Sequence, residues 1–209
     1  MRKYRPQEVI SLLTNSNSTF ALSIFFFLAG ISAGVFLVLI MDPSEKGTVS
    51  SYLMQYFTAA DTFEYPNPFF SSMSSNLLLL IIITLAGLSI FGFPIALLAI
   101  MYKGMALGFS ASLLIDSMAL KGAFTVLITM VPQNMIIIPA FIVAVTAAEN
   151  YGLLKIKTIG GGSRSSVRNN TSKKNTTNML SSFLFLNLLL TATITVGCII
   201  EALLFPIVV

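Results

Sequence analysis

With 209 residues, 56% of them hydrophobic and only 10% charged, the chain has a mean hydropathy of +0.88 and more apolar surface than a water-soluble fold of its size can bury. Its net charge of +4 does not point to nucleic acid, because the basic residues flank apolar runs, which is a topology signal. Histidine is absent and Cys198 is the single cysteine, so a Ser-His-Asp site, a histidine-ligated metal and an intramolecular disulfide are all excluded.

Residues 1–17 are polar, with Arg2, Lys3 and Arg5 against Glu8; they read as a basic lead-in to the first span, with a brief amphipathic helix through Val9, Ile10, Leu12 and Leu13 as the other reading. The first span covers 20–41 and lacks a small-residue cleavage site, so it reads as a retained anchor. It holds Gly30-Ile31-Ser32-Ala33-Gly34, a small-xxx-small face that permits close helix approach. Residues 42–76 form a long polar connection with Asp42, Glu45, Asp61 and Glu64 against Lys46. Its stretch 49–60 suits a short helix, and Tyr65-Pro66-Asn67-Pro68-Phe69-Phe70 reads as a rigid turn followed by interfacial aromatics. This segment is the expected extracytoplasmic cap, and Tyr65, Pro66, Pro68, Phe69 and Phe70 are its candidate partner-binding residues.

The second span is expected over 77–101, kinked where Gly92-Phe93-Pro94 leaves the carbonyl of Ile90 free. Tyr102-Lys103-Gly104 reads as the turn into a short third span, 105–120, which carries the Gly104-to-Gly108 small-residue face and Asp116. Such a short run is either a full crossing or a re-entrant segment. The fourth span, 122–148, has no ionisable side chain and is long enough to cross a hydrocarbon core of about 30 Å. Pro132 cannot serve the carbonyl of Ile128, nor Pro139 that of Met135. In lipid those carbonyls need partners, and the carboxamides of Gln133 and Asn134 can supply them or reach a neighbouring helix. This stretch must therefore face protein, and the rest of the chain is read as what packs against it. Residues 149–178 hold six basic residues and a Gly160-Gly161-Gly162-Ser163 run, the composition of a flexible cytoplasmic loop. The last span is 180–206.

The fold expected is all-α: a single integral membrane domain, a bundle of five transmembrane helices, N-in and C-out, with a short helical extracytoplasmic loop. That threading puts Arg2, Lys3, Arg5, Lys103 and the six basic residues of 149–178 in the cytoplasm, leaving only Lys46 and Lys121 outside. Asp116 and Glu201 touch apolar helices near the outer surface, where they read first as structural anchors, with Lys121 as a partner for either. The Pro132-Gln133-Asn134 break has the features of a transporter's discontinuous helix, so a transport or channel subunit is the alternative to a structural role. No cofactor or metal site is expected.

The order GFPIALLAIMYKGMALGFSASLL, then VPQNMIIIPAFI, then IEALLFP resembles the stage II sporulation protein M family of endospore-forming bacteria. Its anchor points are Gly92, Pro94, Lys103-Gly104, Gly108, Pro132-Gln133-Asn134, Pro139 and Glu201. The wider family carries Pro-His-Gly where this chain has Pro132-Gln133-Asn134, which points to the sporulation branch. The resemblance implies a non-enzymatic scaffold that localises two peptidoglycan hydrolases, a lytic transglycosylase and an amidase/endopeptidase, at the septum during engulfment. Membrane lipid and these enzymes are the implied partners, and the small-residue faces of the first and third spans suit a homodimer.

Overall fold

A computed structural model describes residues 17–58, 68–89, 92–160 and 168–208, and every element among them is helical. In chain order these are α1 (Asn17–Ile40), α2 (Pro43–Thr58), α3 (Pro68–Leu88), α4 (Gly92–Met118), α5 (Leu120–Thr125), a π turn (Val126–Met130), α6 (Val131–Gly160) and α7 (Arg168–Val208). Five stretches are long and apolar enough to cross a membrane: Asn17–Ile40, Phe69–Leu88, Gly92–Met118, Leu120–Leu153 and Met179–Leu204. Phe25, Phe36, Leu39, Leu85 and Leu188 project outward from them, as side chains facing acyl chains must.

Prolines set two starts. Pro43 and Pro68 each occupy the first position of a helix, where a missing N–H leaves no bond unmade. Pro94 lies in the first turn of α4 for the same reason, so Gly92-Phe93-Pro94 begins a helix and does not kink one. This moves the second and third spans from their expected places. Helix α3 ends at Leu88 and α4 begins at Gly92, so Tyr102-Lys103-Gly104 is mid-helix in α4. The third crossing is thus a full 27-residue helix and not a 105–120 segment. Ser71 to Asn76, polar enough to read as loop, are the opening turns of α3: Ser75 Oγ donates to the Ser71 carbonyl at 2.9 Å, and Asn76 Nδ2 to that of Ser72 at 2.9 Å.

α6 runs through the middle. From Ala140 to Gly152 only Ile142 and Val143 are half-exposed, and Ala144, Ala147 and Ala148 let neighbours approach closely. At one end, Gly87 of α3 faces Ala148 and Phe183, where an added Cβ would meet Phe183 Cζ at 2.8 Å and Ala148 Cβ at 2.9 Å. Phe183 in turn stacks on Tyr151, ring centroids 5.0 Å apart at 11°, and Lys155 Nζ donates to the Leu88 carbonyl at 2.7 Å, capping the end of α3.

The expected flexible loop 149–178 is therefore too wide. Helix α6 continues to Gly160 and α7 begins at Arg168, because Glu149, Asn150 and Tyr151 are buried in the bundle and Lys155 has a carbonyl to cap. The glycine run from Gly161, the N-terminal segment with Val9 to Leu13, and Tyr65 and Pro66 lie outside the described residues.

The opposite end carries α2. Lys46 Nζ is 3.1 Å from Asp116 Oδ2, and Ser50 Oγ donates to Ser117 Oγ at 2.8 Å, so α2 is fastened across the end of α4. Asp116 pairs with Lys46, not with Lys121, because the helix over it presents Lys46 first. We call this the cap end. Ala119, with φ 50 and ψ −124, turns the chain from α4 into α5, and a Cβ on Gly122 would strike the carbonyl of Leu114.

Candidate functional site

The glycine faces meet each other within the chain. A Cβ at Gly30 would collide with the carbonyl oxygen of Met101, at Gly34 with that of Met105, at Gly104 with that of Phe27 and at Gly108 with that of Ile31. Helices α1 and α4 thus cross backbone to backbone, each glycine under the other's carbonyl. These faces are buried inside one molecule and supply no surface for a homodimer.

The close approach fixes α4 so that Lys103 points to α3. Lysine has donors only, so it must face an oxygen: Lys103 Nζ donates to Asn76 Oδ1 at 2.7 Å. That leaves the Asn76 amide nitrogen to donate, and it reaches Ser72 Oγ at 3.2 Å as well as the Ser72 carbonyl. Ser72 Oγ then donates to Glu201 Oε2 on α7. From ammonium to carboxylate every donor points the same way, an arrangement in which each bond polarises the next. Cys198 Sγ sits against the middle of this chain, 3.6 Å from Ser72 Oγ and 3.7 Å from Asn76 Nδ2. The Lys103 ammonium also lies over the Phe141 ring, 5.7 Å from its centroid.

Of the residues singled out in the sequence, Glu201 and Lys103, the latter expected in a turn, belong to this cluster, with the single cysteine Cys198 beside them. Pro94 is at a helix start and Gly104 and Gly108 are at the α1 crossing. Pro132, Gln133, Asn134 and Pro139 lie together on α6. Gln133 and Asn134 are buried, so the break faces protein. The π turn ends at Met130, where the Val131 N–H reaches back to the Val126 carbonyl, and Asn134 Nδ2 donates to the Met130 carbonyl at 2.7 Å. That contact is a local bond onto the preceding turn of its own helix; its acceptor is not the Ile128 carbonyl that Pro132 leaves free. Gln133 Oε1 is buried without a hydrogen-bond partner among the described residues. Of the expected partner surface, Phe69 is half-buried against the core and Phe70 is exposed, the rings edge to face at 5.5 Å and 74°.

Three participants were missed. Asn76 and Ser72 fell in the polar connection and Lys103 in a turn. The available signal was the uninterrupted apolar character of 92–118 once Lys103 is admitted as an intramembrane charge, and the four-residue spacing of Ser72 and Asn76. A fourth is Glu149, wholly buried, with neither carboxylate oxygen hydrogen-bonded among the described residues. It adjoins Asn150 and lies one turn from Thr146; the Thr19 hydroxyl donates to Asn150 Oδ1 at 3.2 Å, and Ser23 and Thr146 hydroxyls are 3.4 Å apart. Among the described residues, no three His, Cys, Asp or Glu side chains are grouped to hold a metal.

Residues 23–206 match the family described as SpoIIM: Stage II sporulation protein M, a stretch that holds the Lys103 chain, the Pro132 break, most of the first crossing and the whole of the other four. The chain belongs to this family. No curated protein and no solved structure matches it. It is accordingly a sporulation-related, multi-pass membrane protein, as the resemblance implied. Within the family's matched stretch, the charged chain from Lys103 to Glu201 links three helices that sequence order keeps apart.

Proposed function

We propose that the chain is a non-enzymatic scaffold that localises peptidoglycan hydrolases, a lytic transglycosylase and an amidase/endopeptidase, at the septum and engulfing membrane. The N-terminus lies in the cytoplasm in this reading, because Arg2, Lys3, Arg5 and the six basic residues from Lys155 to Lys174 then share the cytoplasmic side. Lys103 no longer contributes to that bias, being inside the bilayer. The cap end then faces outward, toward the cell wall.

The observation that carries the reading is the fastened helix α2. Helix α2, held at Lys46 and Ser50, presents Tyr52, 68% exposed, and the start of α3 presents Phe70, 66% exposed. Exposed aromatics on a rigid support are the side chains that anchor protein interfaces. In sporulating cells, Tyr52→Ala with Phe70→Ala is expected to abolish co-purification of both hydrolases while the protein still inserts in the membrane. Undiminished co-purification by the inserted double variant would refute this surface.

A further inference from the structure

A lysine in the middle of a span normally extends along its helix to reach headgroup water. Lys103 does not. It stands about 16 Å from the Gly92 end of α4 and about 22 Å from the Met118 end, and its ammonium is held inward by Asn76 and the Phe141 ring. Its one hydrogen bond leaves two N–H groups without a partner among the described residues. Glu201 acts on its charge at a distance and reaches it by hydrogen bonds only through Asn76 and Ser72, without a direct salt bridge; the one ion pair among the described residues is Lys46–Asp116.

Beside Lys103 lies a crevice of about 720 Å³ between α3 and α4, lined among others by Asn76, Leu78, Leu98, Tyr102, Lys103 and Ala106. Leu78, Leu98 and Tyr102 on its rim are more than half exposed, so the crevice opens sideways toward the bilayer.

We propose that this crevice docks a transmembrane helix of another protein that carries a carboxylate near its middle, paired with the Lys103 ammonium. Depth selects this occupant. Lipid headgroups lie beyond a hydrocarbon core of about 30 Å, whereas Lys103 is near its centre. A carboxylate reaches that depth stably only on a segment whose own backbone bonds are satisfied, which is a helix. Pairing removes the penalty each charge bears alone in hydrocarbon. The apolar rim takes the helix's neighbouring side chains, and the crevice has room for several. The site is distinct from the cap end, so it stands or falls apart from the scaffold reading.

The test reconstitutes the full chain in phospholipid vesicles with synthetic helices of about 20 Leu and Ala residues, bearing one central Glu, one central Gln or neither. Association is read by energy transfer between labels. The Glu helix is expected to bind about tenfold tighter than the Leu/Ala helix, the equivalent of about 1.4 kcal/mol. Lys103→Met removes that preference, and so does Ala106→Trp, which fills the crevice while leaving the ammonium in place. Equal binding of the three helices, or a Glu preference that survives Ala106→Trp, overturns the proposal. So does an anionic lipid that co-purifies with the wild type but not with either variant and blocks the Glu helix, which would assign the crevice to lipid.

Discussion

Asn76 Oδ1 on α3 accepts a hydrogen bond from Lys103 Nζ on α4 across 2.7 Å, a bond between two helices long and apolar enough to cross a membrane. Asn76 is 4% exposed and its nitrogen is committed to Ser72, so it serves as a fixed coupling between a cation and the rest of the chain. Replacing it removes the ammonium's one hydrogen bond. Asn76→Leu is expected to destabilise the protein by about 3 kcal/mol, more than an ordinary hydrogen-bond loss of about 1 kcal/mol, because a charge is left unanswered. Asn76→Asp, which offers a carboxylate to the same ammonium, should retain most of the stability. Thermal unfolding in detergent ranks the two; equal losses would show that the bond itself is incidental.

The α1–α4 crossing predicts a steep size dependence. Gly34→Val places a side chain against the Met105 carbonyl and within 2.7 Å of the Phe109 backbone nitrogen, neither of which is the end of a flexible group. The cost should be at least about 3 kcal/mol, the upper range of overpacking. Gly47→Ala on α2, with nothing within 4 Å, is the control and should stabilise its helix by up to about 1 kcal/mol. Unfolding midpoints that fall together for both would argue that the crossing is loose.

Glu149 predicts tolerance where a charge usually predicts sensitivity. Both of its oxygens are buried without partners among the described residues, so an ionised carboxylate there would cost several kcal/mol. Glu149→Gln is expected within about 1 kcal/mol of wild type, or above it, and Glu149→Lys should fail to fold. A large loss on Glu149→Gln would reveal a partner that the described residues lack.

Ala119 holds φ 50 and ψ −124, a conformation suited to glycine and strained for any residue with a Cβ. Ala119→Gly should therefore stabilise the α4–α5 hairpin by about 1 kcal/mol despite glycine's greater freedom when unfolded. Unfolding curves give the sign directly, and a destabilised Ala119→Gly would contradict the strain.

Orientation is open to chemical test. With the cap end outside, Ser44→Cys should react with a membrane-impermeant maleimide in intact cells and Ser163→Cys only after permeabilisation. The reverse pattern would invert the topology and move the proposed hydrolase surface to the cytoplasm.

Much of this architecture is legible in the chain. Apolar runs disclose the five crossings, and the carboxamides of the Pro132-Gln133-Asn134 stretch are buried in the helix that carries them. The boundary between the second and third crossings is not legible, since Gly92-Phe93-Pro94 and Tyr102-Lys103-Gly104 both carry turn chemistry. What decides between them is tertiary: Gly104 is needed beneath Phe27, and Lys103 is answered by Asn76. The same holds for Ser72 and Asn76, whose polarity signals water until Glu201 and Lys103 are found beside them. A residue pattern reports preference for lipid or water, but not which polar groups will satisfy one another inside.

Cys198 is wholly buried between α3 and α7, in touch with Ser72 and Asn76. As the sole thiol in the chain it is an intrinsic clock for the parting of those two helices: an alkylating reagent can modify it only as often as they separate. Thiol-labelling experiments can therefore keep the native cysteine, whose slow background reaction doubles as a gauge of how long the assembled membrane core persists.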